Sequence, residues 1–145
     1  MIVEEPDLKL AGFSLWVRSR QYPHCDDYWD GNWLDVVARV EAPGSFVEAA
    51  GPFLRNDELV AFAAQLEVVQ RDLTGEAELA CMEPNLNMKV RCGSLGHMEA
   101  VISITPDNLT QSHELTLDID QTYLAPVLRS CRRILQRFPI IGAPG

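Results

Sequence analysis

The chain has 145 residues, 47% hydrophobic and 23% charged, with a net charge of −9. That length fits one domain with its own core, and the composition is that of a folded globular protein rather than a fibrous or disordered one. The sign of the charge argues against nucleic acid and anionic membrane as partners.

The opening MIVEEPDLKL puts acids where an export signal carries its basic region. No run of about 18 apolar residues occurs anywhere, so no membrane span is expected and the expected location is cytoplasmic. Alternation begins at Phe13, Leu15 and Val17, a strand with one apolar face. After the acid- and aromatic-rich Cys25–Asp35, Leu34, Val36, Ala38 and Val40 alternate with Asp35, Val37 and Arg39 in a second strand. A weaker strand signal covers Phe46–Ala50.

The period then changes. Behind Asn56, an expected N-cap with Asp57 and Glu58 in the first turn, Leu59, Phe62, Ala63, Leu66 and Val69 recur at helical spacing until Gly75 supplies a stop. A weak strand over Ala77–Met82 follows, then alternating Leu86, Met88, Val90 and Cys92, and then Ala100, Ile102 and Ile104. Between these last two, Gly93-Ser-Leu-Gly96 reads as a two-glycine turn; with no helix after it, it is not a phosphate cradle. Leu115, Leu117 and Ile119 alternate with Glu114, Thr116, Asp118 and Asp120 in a last strand. The final helix carries Leu124, Val127, Leu128, Cys131, Ile134, Leu135 and Phe138 on one stripe, with Pro126 tolerated only near its first turn. Together these predict an α+β domain spanning 1–145: a single antiparallel sheet of about six to eight strands, with two amphipathic helices (about 57–73 and 123–138) packed on one face. Residues 140–145 read as a loose tail.

Four cysteines, Cys25, Cys81, Cys92 and Cys131, form no CxxC pair. The last three fall in phase with apolar neighbours and read as small buried hydrophobes, so neither disulfides nor a zinc site is expected. Arg129, Arg132, Arg133 and Arg137 make the final helix basic, which leaves 8 bases against 21 acids in residues 1–128. Such a surface steers toward a basic protein partner. Homo-oligomerisation stays open.

The stretch CDDYWDGNWLD admits several chemistries. An EF-hand counted from Asp26 would put Tyr28 at position 3, Asp30 at 5, Gly31 at 6 and Val37 at 12. Tyr28 and Val37 cannot do those jobs, so the calcium reading fails. His24, His97 and His113 are scattered, and no metal or other cofactor is expected. Asp26, Asp27 and Asp30 have the right groups for acid–base work as a hydrolase or for holding a small molecule. No HExxH, GxSxG, P-loop or dinucleotide fingerprint accompanies them, so catalysis is not the expectation. A plain turn into the next strand, as part of a structural or oligomeric module, is a further reading. The last is a recognition surface in which Asp26, Asp27, Tyr28, Trp29, Asp30 and Trp33 meet a basic partner, aromatics supplying area and acids pairing. Glu114, Asp118 and Asp120 add a secondary acidic row.

Four stretches carry a family resemblance: DYWDGNWL (Asp27–Leu34), NDELVAFAAQLEVVQRDLTGEAEL (Asn56–Leu79), GSLGHMEAVISI (Gly93–Ile104), and DIDQTYL (Asp118–Leu124) followed by RFP (Arg137–Pro139). In this order, from about Gly12 to Pro139, the chain resembles the bacterial WapI-like immunity proteins, a family that overlaps with small proteins of unknown function. The resemblance implies a non-enzymatic binding protein in a toxin-antitoxin-like pairing. Its partner would be a cognate toxin domain, typically nuclease-like and basic. It brings no catalytic residues.

Overall fold

The computed structural model describes residues 4–93 and 95–145. Met1–Val3 of the opening segment and Ser94 of the Gly93–Gly96 turn lie outside the described residues. Alternation builds two sheets rather than the single one expected. The first holds β1 (Leu8–Leu10), β2 (Phe13–Arg20), β3 (Trp33–Ala42) and β4 (Ser45–Arg55) in that order, all antiparallel. The second holds β5 (Gly75–Ala80), β6 (Leu86–Cys92), β7 (Met98–Ile104) and β8 (Glu114–Ile119), also an antiparallel meander. A one-turn helix α1 (Tyr28–Gly31) interrupts the β2–β3 connection, α2 (Asn56–Asp72) joins the sheets, and α3 (Leu124–Arg137) ends the fold.

The division has a physical cause. Tight loops hold successive strands side by side, as where Pro43 and Gly44 (φ +79°) close the β3–β4 hairpin between Ala42 and Ser45. Between β4 and β5 the chain instead runs through the 17 residues of α2, about 25 Å of helix, which ends the run of hairpins, and β5 opens a new sheet. The sheets meet where β7 approaches β3 and β4, while α2 packs on β5 and α3, and α3 on β1. The helices therefore do not share one face of one sheet.

The core is one cluster. Leu15, Leu34, Val36 and Ala38 come from the first sheet and Met88, Val90, Ala100 and Ile102 from the second. Leu59, Phe62 and Leu66 of α2 and Val127, Leu128, Cys131 and Ile134 of α3 complete it. On the opposite face of the first sheet, Trp16 is also buried: Arg39 lies 4.8 Å from its ring centroid and its Nε1 donates to the Glu4 carbonyl (3.0 Å).

Both ends of α2 differ from expectation. Asn56 is not the cap but the first helical residue, fully buried; Arg55 occupies the cap position, and Glu58 Oε1 accepts from its N–H (2.8 Å). At the other end Leu73 adopts the left-handed conformation (φ +52°) and donates to the Val69 carbonyl, closing the helix two residues before Gly75, which starts β5. All four cysteines are free, Cys92 and Cys131 buried, Cys25 and Cys81 half-buried. Burial pushes the Cys131 thiol up to about 12. The Cys81 thiol is pushed up chiefly by burial and further by the charge of Glu58. Among the described residues no helix is long and apolar enough to cross a membrane.

Candidate partner-binding site

Asp27 makes the turn. Its backbone is extended and its Oδ2 accepts from the N–H groups of Trp29 (2.9 Å) and Asp30 (3.0 Å), so the first donors of α1 are satisfied by a side chain. Gly31 then donates to the Asp27 carbonyl (2.7 Å) and is buried. A Cβ at Gly31 would lie 2.3 Å from Ile141 Cδ1 and 3.0 Å from the Cys25 carbonyl oxygen, so only glycine fits beneath the tail.

Asn32, fully buried, ties the turn to that tail. Its Nδ2 donates to the carbonyls of Tyr28 (2.9 Å) and Ile141 (3.0 Å), and its Oδ1 accepts from the Ile141 N–H (3.0 Å) and from Asn56 Nδ2 (3.1 Å). Asn56 Nδ2 also reaches the Phe138 carbonyl (3.1 Å), and Arg20 donates to the carbonyls of Gly31 (2.9 Å) and Pro139. The segment from Phe138 to Ile141 is thus held against α1 by three side chains.

Arg55 supports the turn from below. It is 2% exposed, and its guanidinium donates to the carbonyls of Trp29 (2.6 Å) and Tyr28 (3.1 Å) and to Asp57 Oδ1 (3.0 Å). These two carbonyls end the short helix and have no partner within it, so the guanidinium takes the place of a missing next turn. Three rings surround the cation, with centroids 5.2 Å (Tyr28), 5.7 Å (Trp29) and 5.2 Å (Trp33) away. Tyr28 and Trp29 meet edge to face at 4.9 Å. The Tyr28 hydroxyl donates to Asp57 Oδ2 (2.8 Å), and this hydrogen bond is the main cause of its raised pKa.

The stretch forms a short capped helix, partly packed into the fold and partly exposed. Tyr28 and Trp33 are half-buried against Arg55, whereas Trp29 remains 54% exposed and Asp26, Asp27 and Asp30 face solvent. Asp27, however, is already engaged as the cap. The nearby depression, of about 330 Å³ and open to solvent, is lined by Tyr22, Cys25 and Asp30, with neither Asp26 nor Trp29 on its wall. Among the described residues no three His, Cys, Asp or Glu side chains gather closely enough to hold a metal ion.

The secondary row lies elsewhere, on the last strand of the other sheet. Glu114 and Asp118 are exposed on the outer face of β8. Asp120 lies beyond the strand and caps the 3-10 turn Gln121–Tyr123, with Oδ1 accepting from the Thr122 N–H (2.8 Å) and hydroxyl. Those bonds from Thr122 lower its pKa.

Sequence reasoning missed Arg55, Arg20, Asn32 and the hold on the tail, and read Asn56 only as a cap and Asp57 only as a first-turn acid. The one available signal was a lone basic residue, Arg55, directly before a helix start, where cations are disfavoured.

Fold and site together define a small two-sheet α+β domain that presents a rigidly held acid-and-aromatic turn to solvent. A family model described as the immunity protein WapI-like family matches residues 7–139, and the chain belongs to that family. The match reaches slightly further toward the N-terminus than the stretches that first suggested it. Membership supports an immunity role in general and implies a cognate toxin as partner. No curated protein matches the chain.

Proposed function

We propose that this immunity protein acts in the cytoplasm by binding a basic, nuclease-like toxin domain through α1 and so covering the toxin's cationic surface. The observation that carries the reading is Trp29. A large ring left 54% exposed, yet fixed by Arg55 and Tyr28, supplies contact area without an ordering cost on binding. Asp26 and Asp30 flank it with free carboxylates that attract cations, and the acidic surface speeds encounter. Nothing in the reading needs bond making or breaking.

Asp26 and Asp30 are the right positions to test, because replacing Asp27 would also uncap α1. The double variant Asp26→Lys/Asp30→Lys is expected to associate with the toxin domain about tenfold more slowly or worse at low salt, with a smaller effect at high salt. Trp29→Ala is expected to raise the dissociation rate while lowering stability by only about 1–2 kcal/mol, the sum of one cation–π contact to a half-exposed ring and one aromatic pair. Unchanged kinetics in both variants, measured by surface plasmon resonance, would place the contact away from α1.

The structural-module reading is favoured by one observation, the burial of Arg55 under the turn. It predicts that Trp29→Ala changes stability and nothing else.

A further inference from the structure

Four strands lie at sheet edges, and three of the edges are blunted. β1 is three residues long, too short to extend a ladder far. β4 is broken by an irregularity and by Gly51 and Pro52, and its acid Glu48 is paired with Arg39 at 2.7 Å. β5 is plugged by α2: the Glu78 N–H donates to Gln65 Oε1 (2.9 Å), and just beyond the strand the Met82 N–H donates to Glu58 Oε2 (2.7 Å).

β8 is different. The Ile104 N–H donates to the His113 carbonyl (3.1 Å), so in steps of two the hydrogen-bonded pairs to β7 are Ile102 with Leu115, Ala100 with Leu117 and Met98 with Ile119. The N–H and C=O groups of Glu114, Thr116 and Asp118 therefore point away from the sheet. Among the described residues no other backbone group pairs with them, and no cation lies within ion-pair distance of Glu114 or Asp118. On the inner face Leu115 and Leu117 are only partly buried, although they pack against the core.

We propose that β8 is a docking edge for an extended basic segment of the protein partner. The segment adds as a fifth antiparallel strand, with Lys or Arg across from Glu114 and Asp118 and apolar side chains across from Leu115 and Leu117. Main-chain bonds supply affinity and the alternating side chains supply selectivity. Charge selects this edge over β4, whose one exposed acid is already neutralised. The inference deepens the immunity reading, because it gives the same basic partner a second point of attachment. A short peptide tests it without any toxin, so the two readings fail separately.

The probe is the peptide Lys-Val-Lys-Val-Lys-Val-Lys, titrated into isotope-labelled protein while amide chemical shifts are followed. Its control is the same peptide N-methylated at the lysine amides, which keeps charge and shape but cannot pair with β8. The expected result is shifts centred on Glu114, Thr116 and Asp118, with the control binding about tenfold more weakly or worse. Thr116→Pro should cause a similar loss, because the N–H it removes faces solvent and the fold does not use it. If that variant fails to fold, the methylated peptide on the unaltered protein still decides. Equal binding of the control, shifts centred elsewhere, or no shifts at millimolar peptide would each overturn the proposal.

Discussion

Arg55 decides the shape of the candidate site. Its three hydrogen bonds and three ring contacts converge from α1, β3 and α2, and it is almost completely buried. Arg55→Ala would leave the Trp29 carbonyl unpaired, the Tyr28 carbonyl with Asn32 Nδ2 as its remaining side-chain donor, and a cavity beneath the aromatics. A loss of about 3 kcal/mol or more is expected, or roughly 10 °C in Tm for a chain of this size. Thermal unfolding checks the stability, and tryptophan fluorescence checks the release of Trp29 and Trp33. Gly31→Ala acts on the other side of the turn. Its methyl would overlap Ile141 and the Cys25 carbonyl, at an expected cost of about 1–3 kcal/mol. Faster hydrogen exchange at the Gly31 amide and along the tail would show that the two loosen together.

The hold of Arg55 and of the tail on the turn was not legible in the local sequence. Asp27 as cap and Asp30-Gly31 as a turn belong to local pattern, and the acidic, aromatic character of the stretch is plain from its letters. The partners that hold it are distant along the chain: 27 residues from Arg55 to Tyr28, 24 from Asn56 to Asn32, 109 from Ile141 to Asn32. A one-dimensional pattern carries no sign of such pairs.

At the scale of elements, alternation found β2, β3, β6, β7 and β8, because each buries one face and shows the other. β1 escaped, since Leu8-Lys9-Leu10 is too short to establish a period. β4 was seen only in part: Gly51-Pro52 hides the fact that the strand continues through a bulge to Arg55. Which strands share a sheet was not legible either, because a period of two specifies the face of a strand and not its neighbour. The junction of α2 with the second sheet depends on Glu58, whose two oxygens accept from the N–H groups of Arg55 and Met82. Burial is the largest influence on its carboxyl and raises its pKa. A raised folded-state pKa means that the folded protein holds this proton more tightly than the unfolded chain. The stability it contributes is complete below the unfolded value and is lost as pH rises through the folded one. Glu58→Gln carries no charge at any pH, so the unaltered protein should gain in Tm relative to this variant as pH falls from about 7 to about 4. A difference that stays constant across that range would contradict the assignment.

Over the whole molecule, charge and architecture point the same way. The acids dominate residues 1–128, whereas two arginines of α3 are drawn into ion pairs, Arg132 with Glu67 (2.7 Å) and Arg137 with Asp7 (3.0 Å). A rigid turn with an exposed tryptophan and free carboxylates is suited to fast, specific docking on a basic surface. The most direct test is calorimetry of the purified protein with a cognate toxin domain, at about 50 mM and about 300 mM salt. The account predicts nanomolar binding at the lower salt that weakens clearly at the higher. Absence of binding, or binding that ignores salt, would contradict the claim that this acidic surface neutralises a basic toxin.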